Sequence, residues 1–143
     1  NIEFLIQKIS EKKIQLSNLY KKDTPIFIKL SPDEEELNLE KIIHFSEEYD
    51  LDGFICSNTT TEHSYPISGG MSGSSLKQKA LDLQKKVAEI KKDKSFLIAS
   101  GGVMSADDVQ ERLRNSADLV QLYSGYIYYG NSLLRDALEI SSS

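Results

Sequence analysis

Polar or small side chains stand within or just after each of four short apolar runs in this chain of 143 residues. Lys29 interrupts Ile26-Phe27-Ile28-Lys29-Leu30, and Ser57, Asn58 and Thr59 follow the run Phe54-Ile55-Cys56. Gly101-Gly102 closes the stretch Ser95-Phe96-Leu97-Ile98-Ala99. Tyr123-Ser124-Gly125 closes Leu119-Val120-Gln121-Leu122. A further glycine cluster, Gly69-Gly70-Met71-Ser72-Gly73, lies between the second and third runs. Each group suits a different ligand chemistry. Backbone N–H groups laid bare at glycines, helped by hydroxyls, hold anions such as phosphate. The Asn58 amide and the Thr59 hydroxyl suit a carbonyl, imide or carboxylate edge. Lys29, if enclosed by apolar neighbours, requires an anionic partner, because an unpaired buried charge is very costly. In a barrel of alternating strands and helices, the last two strand-end loops commonly hold a phosphate. The loops at Gly102 and Tyr123, one helix apart, match that arrangement and point to a phosphate-bearing ligand.

Plainer readings stand beside these. Lys29 could lie on an exposed strand edge. Asn58 and Thr59 could form an Asx or Ser/Thr turn. Glycine pairs also mark ordinary turns.

Other chemistries find no support in the sequence. His44 and His63 lack partners at metal-ligand spacing, so no metal is expected. Cys56 is the only cysteine, which excludes an internal disulfide, and its apolar run makes it an inert core thiol. No Ser-His-Asp arrangement can be assembled. The net charge of -5 argues against a grip on nucleic acid by bulk electrostatics. No stretch approaches the roughly 20 apolar residues of a membrane span, and none has the pattern of a signal peptide.

The elements that must position these groups are legible from periodicity. Ile2, Leu5, Ile6, Ile9, Leu16, Leu19 and Tyr20 recur at helical spacing, and Asp23-Thr24-Pro25 stops that helix. Ile26–Leu30 is a strand. Ser31-Pro32-Asp33-Glu34 has capping-box spacing with Pro at the favoured first position, which predicts a helix from there, carried by Leu39, Ile42, Ile43 and Tyr49. A second strand covers 54–57, and residues 62–72 are expected to form an open loop. Leu76, Ala80, Leu83, Val87 and Ile90 form the stripe of a long helix. Residues 96–99 are the third strand, Ser105-Ala106-Asp107-Asp108 caps the next helix, and 119–122 is the fourth strand. A last helix runs from about Asn131 to Ile140, and Ser141-Ser142-Ser143 is a frayed end. Four strands separated by helices imply an α/β fold with parallel pairing and right-handed crossovers. The chain opens on Asn1, directly in a helical pattern, which sets the expectation that an N-terminal portion precedes it.

Taken in order, the motifs Ile28-Lys29-Leu30-Ser31-Pro32-Asp33, Asp52-Gly53 through Ser57-Asn58-Thr59-Thr60, Gly69-Gly70-Met71-Ser72-Gly73, Gly101-Gly102-Val103 and Val120-Gln121-Leu122-Tyr123-Ser124 form a specific set. The set resembles the C-terminal half of class 2, quinone-linked dihydroorotate dehydrogenases, and covers nearly the whole chain. The resemblance implies an eight-stranded (β/α)8 barrel of TIM type that binds flavin mononucleotide (FMN), of which residues 1–143 are the C-terminal part of a single domain. It implies oxidation of dihydroorotate to orotate in pyrimidine synthesis, with a quinone as electron acceptor. Lys29 would lie at the flavin pyrimidine edge and favour the negative charge that develops there. Ser57 would touch the flavin, and Asn58 and Thr59 would bind the substrate. Gly73 and Gly102 would approach the cofactor by backbone, and Tyr123 and Ser124 would hold its phosphate. Ser57 and Ser124 stand where the family usually has threonine, and the short loop 62–68 leaves the cover over the substrate undefined. The family's catalytic base, a serine in an earlier loop, is expected upstream of Asn1, so no catalytic base is assigned in this chain. Membrane contact is expected only through a missing N-terminal region, at the cytoplasmic face of a bacterial inner membrane or at the mitochondrial inner membrane. A half-barrel leaves open edges, so self-association is expected. The alternatives are a non-redox phosphate-binding barrel enzyme and a non-catalytic half-barrel binding module, since fold does not fix function.

Overall fold

The computed structural model describes residues 1–66 and 68–141. Ile67, within the expected open loop, and Ser142-Ser143, within the expected frayed end, lie outside the described residues. The elements run α1 (Ile2–Tyr20), β1 (Phe27–Leu30), α2 (Glu36–Glu48), β2 (Gly53–Cys56), a 3-10 turn (Gly73–Leu76), α3 (Lys77–Ile90), β3 (Phe96–Ser100), α4 (Ala106–Arg114), β4 (Leu119–Gln121), α5 (Ser124–Tyr129) and α6 (Asn131–Ser141). The four strands form one parallel sheet in the order β1-β2-β3-β4. Consecutive parallel neighbours joined by helices are the βα-barrel arrangement expected from the sequence.

Strand alternation divides the sheet into two faces. Leu30, Phe54, Cys56 and Leu97 point to one face and meet Leu39 and Ile43 of α2 and Leu83 and Val87 of α3 in the main core. Full burial of each such aliphatic or aromatic side chain stabilises the fold by roughly 1.5–3 kcal/mol. On the other face, Lys29, Ile55, Ile98 and Leu119 share one register row, and Phe27, Gly53 and Phe96 share the next. No helix covers that face: Phe96 is 53% and Leu119 58% exposed. A second cluster of Val103, Ala106, Val109 and Ala137, with Val120 and Leu122 against it, anchors α4 and α6 beside β4.

Three local expectations are revised. The helix after β1 starts at Glu36, not at Pro32. Ser31 Oγ accepts from the Asp33 amide at 3.2 Å, which makes a tight turn, and the Asp33 carboxylate is committed to groups far along the chain. A short helix, α5, follows Tyr123 where a loop was expected, because Tyr126, Ile127, Tyr128 and Tyr129 carry no alternation to advertise it. Ile26 lies outside β1, and its amide donates to Asp52 Oδ2 instead of to a neighbouring strand. The capped helix at Ser105 forms as read: Ser105 and Asp108 make a reciprocal capping box.

Candidate functional site

A cleft opens at the carboxyl ends of the four strands. It is lined by Lys29, Ser57, Asn58, Thr59, Ser72, Gly73, Leu76, Ser100, Gly101, Gly102, Val103, Gln121, Tyr123 and Ser124. Every cofactor and substrate candidate taken from the sequence borders it, although those residues span positions 29 to 124.

Each side of the cleft is held by identifiable bonds. At its floor, the Asn58 amide donates to Leu30 O at 2.8 Å and the Ser57 amide to Ser100 O at 2.7 Å, extending the ladder past the strand ends. The Cys56–Ser57 peptide, which carries the Ser57 amide, is cis. Ser57 is buried and its hydroxyl donates to Asn58 O at 2.8 Å, while the Asn58 side chain accepts from the Thr59 amide at 2.9 Å. Thr59 rests against Gly70, where an added Cβ would stand 1.9 Å from Thr59 Oγ1.

Lys29 heads the inner register row and is exposed, so it does not bear the burial penalty considered above. No ion pair among the described residues includes it, which leaves its positive charge available to a ligand.

On the opposite wall, Ser124 Oγ lies 3.1 Å from Ser72 Oγ, joining the loop after β4 to the segment before α3. Gly73 adopts φ +72°, and a Cβ there would have only Ser124 Cβ near it, at 3.9 Å. That space is the kind of cradle into which a ligand backbone or ring fits. Gly102 is different. Its φ is +71°, and a Cβ would stand 2.2 Å from Lys77 Cα. The missing side chain at Gly102 is therefore required by packing on α3. The Gly102 and Val103 N–H groups donate to no group among the described residues, as a phosphate-binding loop requires.

Sequence reasoning missed the residues that fix this loop. Arg112 is fully buried, and its guanidinium donates to Gly101 O at 2.8 Å, to Lys77 O at 3.0 Å and to Gln84 Oε1 at 3.2 Å. Burial pulls its pKa below the ordinary value. Gln84, also fully buried, donates to Arg112 O and Asn115 O at 2.8 Å. The available signal was the position of Arg112 three residues after Val109, on the apolar side of α4. Beside it, burial pushes the Asp108 carboxyl up, but hydrogen bonds from Lys77, the Met104 amide and Ser105 outweigh that and hold it below the usual carboxylate range. Gln121 and Ser100 were also missed; strand alternation puts both on the inner face.

Cys56 is the core thiol expected, fully buried, with burial pushing its pKa up to about 12. His63 is half-buried, its Nε2 2.9 Å from Gly69 O, and His44 is exposed beside Glu48. Among the described residues no group of His, Cys, Asp or Glu side chains is arranged to hold a metal ion.

A sequence model of the dihydroorotate dehydrogenase family matches residues 3–139. The chain belongs to that family. It is 40% identical to the dihydroorotate dehydrogenase (quinone) of Dichelobacter nodosus, over 96% of this chain and 43% of that protein. It is 33% identical to the protein of the same name from Neisseria meningitidis serogroup A, over 94% of this chain and 42% of that one. Among solved structures, the ligand-free dihydroorotate dehydrogenase of Eimeria tenella superposes with a TM-score of 0.73, at 28% identity, over 79% of this chain and 33% of that one. The ferulenol complex of the Eimeria tenella enzyme gives 0.76 at 28% identity, over 82% of this chain and 33% of that one. The chain thus spans less than half the length of these dihydroorotate dehydrogenases.

Proposed function

We propose that these residues are the C-terminal part of a single FMN-binding barrel domain, and that the whole protein oxidises dihydroorotate to orotate with a quinone as acceptor. The observation that carries this reading is the convergence of Lys29, Ser57, Asn58, Thr59, Gly73, Gly102, Tyr123 and Ser124 on one cleft at the strand ends. The names of the bacterial relatives supply the quinone. The donor set suits FMN: free N–H groups and hydroxyls for a phosphate, an unpaired cation, and an open cradle at Gly73.

Bound FMN supplies the two-electron redox chemistry. This chain's residues bind and orient. Gly102 and Val103 present N–H groups to the phosphate, with Tyr123 and Ser124 from the facing loop. Lys29 would set a positive charge beside the bound ring system, a stabilisation preorganised by the strand that carries it. Ser57 would contact the ring from the cleft floor. Asn58 offers a donor and an acceptor to the substrate's imide and carboxylate edges, and Thr59 adds a hydroxyl. The base that takes the substrate's carbon-bound proton is read as lying outside these residues.

The remaining assignments rest on the same reading. The uncovered inner face and the open edges of β1 and β4 fit a missing set of strands, and alone they favour self-association. No helix among the described residues is long and apolar enough to cross a membrane. Contact with a bacterial inner membrane, at its cytoplasmic face, is assigned to other parts of the protein. The test is steady-state turnover: purified full-length protein should reduce a soluble quinone only when dihydroorotate is supplied. Failure to do so with stoichiometric flavin bound would overturn the substrate assignment.

A further inference from the structure

One cluster outside the cleft ties its two substrate-facing sides together. The Asp33 carboxylate, in the turn after β1, accepts from Thr60 Oγ1 at 2.5 Å, from the Thr61 amide at 2.7 Å and from Thr61 Oγ1 at 3.0 Å. It also accepts from Lys79 Nζ at 2.5 Å, across 46 residues of sequence. Lys79, on the first turn of α3, donates further to Thr60 Oγ1 at 3.1 Å and to Glu62 Oε2 at 2.5 Å. Thr60 is buried to 1% exposure, and it pairs with Met71 in an isolated antiparallel bridge that closes the base of the intervening loop.

These contacts bracket the cleft. Asp33 lies four residues after Lys29, and Thr60 directly follows Asn58 and Thr59. A carboxylate that accepts from two hydroxyls, an amide and an ammonium is nearly saturated, and charge-assisted bonds of this kind are roughly twice as strong as neutral ones. The turn after β1, the exit of β2 and the first turn of α3 are thereby joined at one carboxylate. Asp33 itself does not line the cleft.

We infer that Asp33, with Lys79, is a positioning residue that fixes Asn58 and Thr59 relative to Lys29 and so sets the affinity of the cleft for its substrate. This role rests on the function proposed above, with substrate at Asn58 and Thr59 and flavin at Lys29. Asp33 contributes through the segment it holds and makes no contact with substrate. Its loss should weaken substrate binding while leaving intact the loop after β3, which Arg112 holds through Gly101 O and Lys77 O.

The test uses the full-length flavin-loaded protein with Asp33→Asn, which preserves shape, and Lys79→Gln, which removes the cation. Orotate binding is read from the perturbation of the flavin absorption band, flavin content from the same spectrum, and backbone opening from amide hydrogen exchange. Both variants should keep stoichiometric flavin. Their orotate Kd should rise about tenfold, the loss expected when a charge-assisted bond is removed. Exchange at residues 58–62 should accelerate about tenfold, with residues 96–114 unchanged. Orotate Kd within twofold of wild type in both variants would overturn the inference, as would unchanged exchange at 58–62. Wild-type protein that binds flavin but not orotate would overturn the functional reading instead, and the exchange measurement would still decide whether Asp33 holds the segment.

Discussion

A Cβ placed on Gly102 would stand 2.2 Å from the Cα of Lys77, so the loop after β3 and the start of α3 are in backbone contact. The Arg112 guanidinium bridges the same two segments through Gly101 O and Lys77 O. The loop proposed to hold the phosphate is thereby built into the packing of α3 and α4. Gly102→Val should lower Tm and abolish flavin retention together, since the side chain meets main chain and φ +71° is unfavourable for a β-branched residue. Thermal melting and the flavin-to-protein absorbance ratio check this. A folded variant carrying full flavin would refute the placement of the loop.

Gly73→Ala separates ligand space from packing. The added methyl meets only Ser124 Cβ at 3.9 Å, so the cost to the fold is that of the left-handed backbone, about 1 kcal/mol. Flavin retention should fall further than stability does. Equilibrium dialysis of FMN beside a melting curve measures both, and unchanged affinity would remove Gly73 from the cofactor site.

Lys29→Ala should leave Tm nearly unchanged, because Lys29 enters no ion pair among the described residues. Its effect should fall on the chemical step. Loss of one preorganised charge should raise the barrier to flavin reduction by about 2–4 kcal/mol. Single-turnover reduction under anaerobic conditions reads this directly, and a wild-type rate would exclude Lys29 from the mechanism.

Asn58→Ala removes the side-chain amide proposed to meet the substrate. Substrate binding should weaken while bound flavin stays in place, the loss being about 1–3 kcal/mol if ligand groups are left unpaired. Titration with orotate and flavin absorbance distinguish the two. A variant that loses flavin yet binds orotate normally would reverse the assignment.

Acid should loosen the Asp33 cluster. Burial raises the Asp33 pKa, but hydrogen bonds from Lys79, Thr60 and Thr61 outweigh it and hold the carboxyl well below its usual range. A carboxylate depressed on folding contributes stability above its unfolded pKa of about 4, and that contribution is lost as pH falls through the folded value. Wild-type protein should therefore lose more stability than Asp33→Asn between about pH 5 and pH 2. Denaturant midpoints at several pH values test this, and parallel curves would contradict it.

Strand order and the cleft were legible because apolar runs and strand-end polarity are local signals. Ile28, Leu30, Phe54 and Leu97 announce their strands by themselves. The start of α2 was misjudged because Asp33 has the spacing of a cap, and only the fold brings Thr60, Thr61 and Lys79 to its carboxylate. Arg112 and Gln84 were missed for a related reason. Long polar side chains on helices ordinarily face water, and their burial here depends on carbonyls contributed by distant loops. The short α5 has no periodicity to detect, and the cofactor role proposed for Tyr123 is what the family resemblance implies.

The visible absorption spectrum of the full-length protein, taken anaerobically before and after dihydroorotate, tests the central claim most directly. The account predicts a flavin spectrum at one FMN per chain that bleaches on addition of dihydroorotate and returns when quinone is added. A colourless protein, or bound flavin that dihydroorotate leaves unbleached, would contradict it.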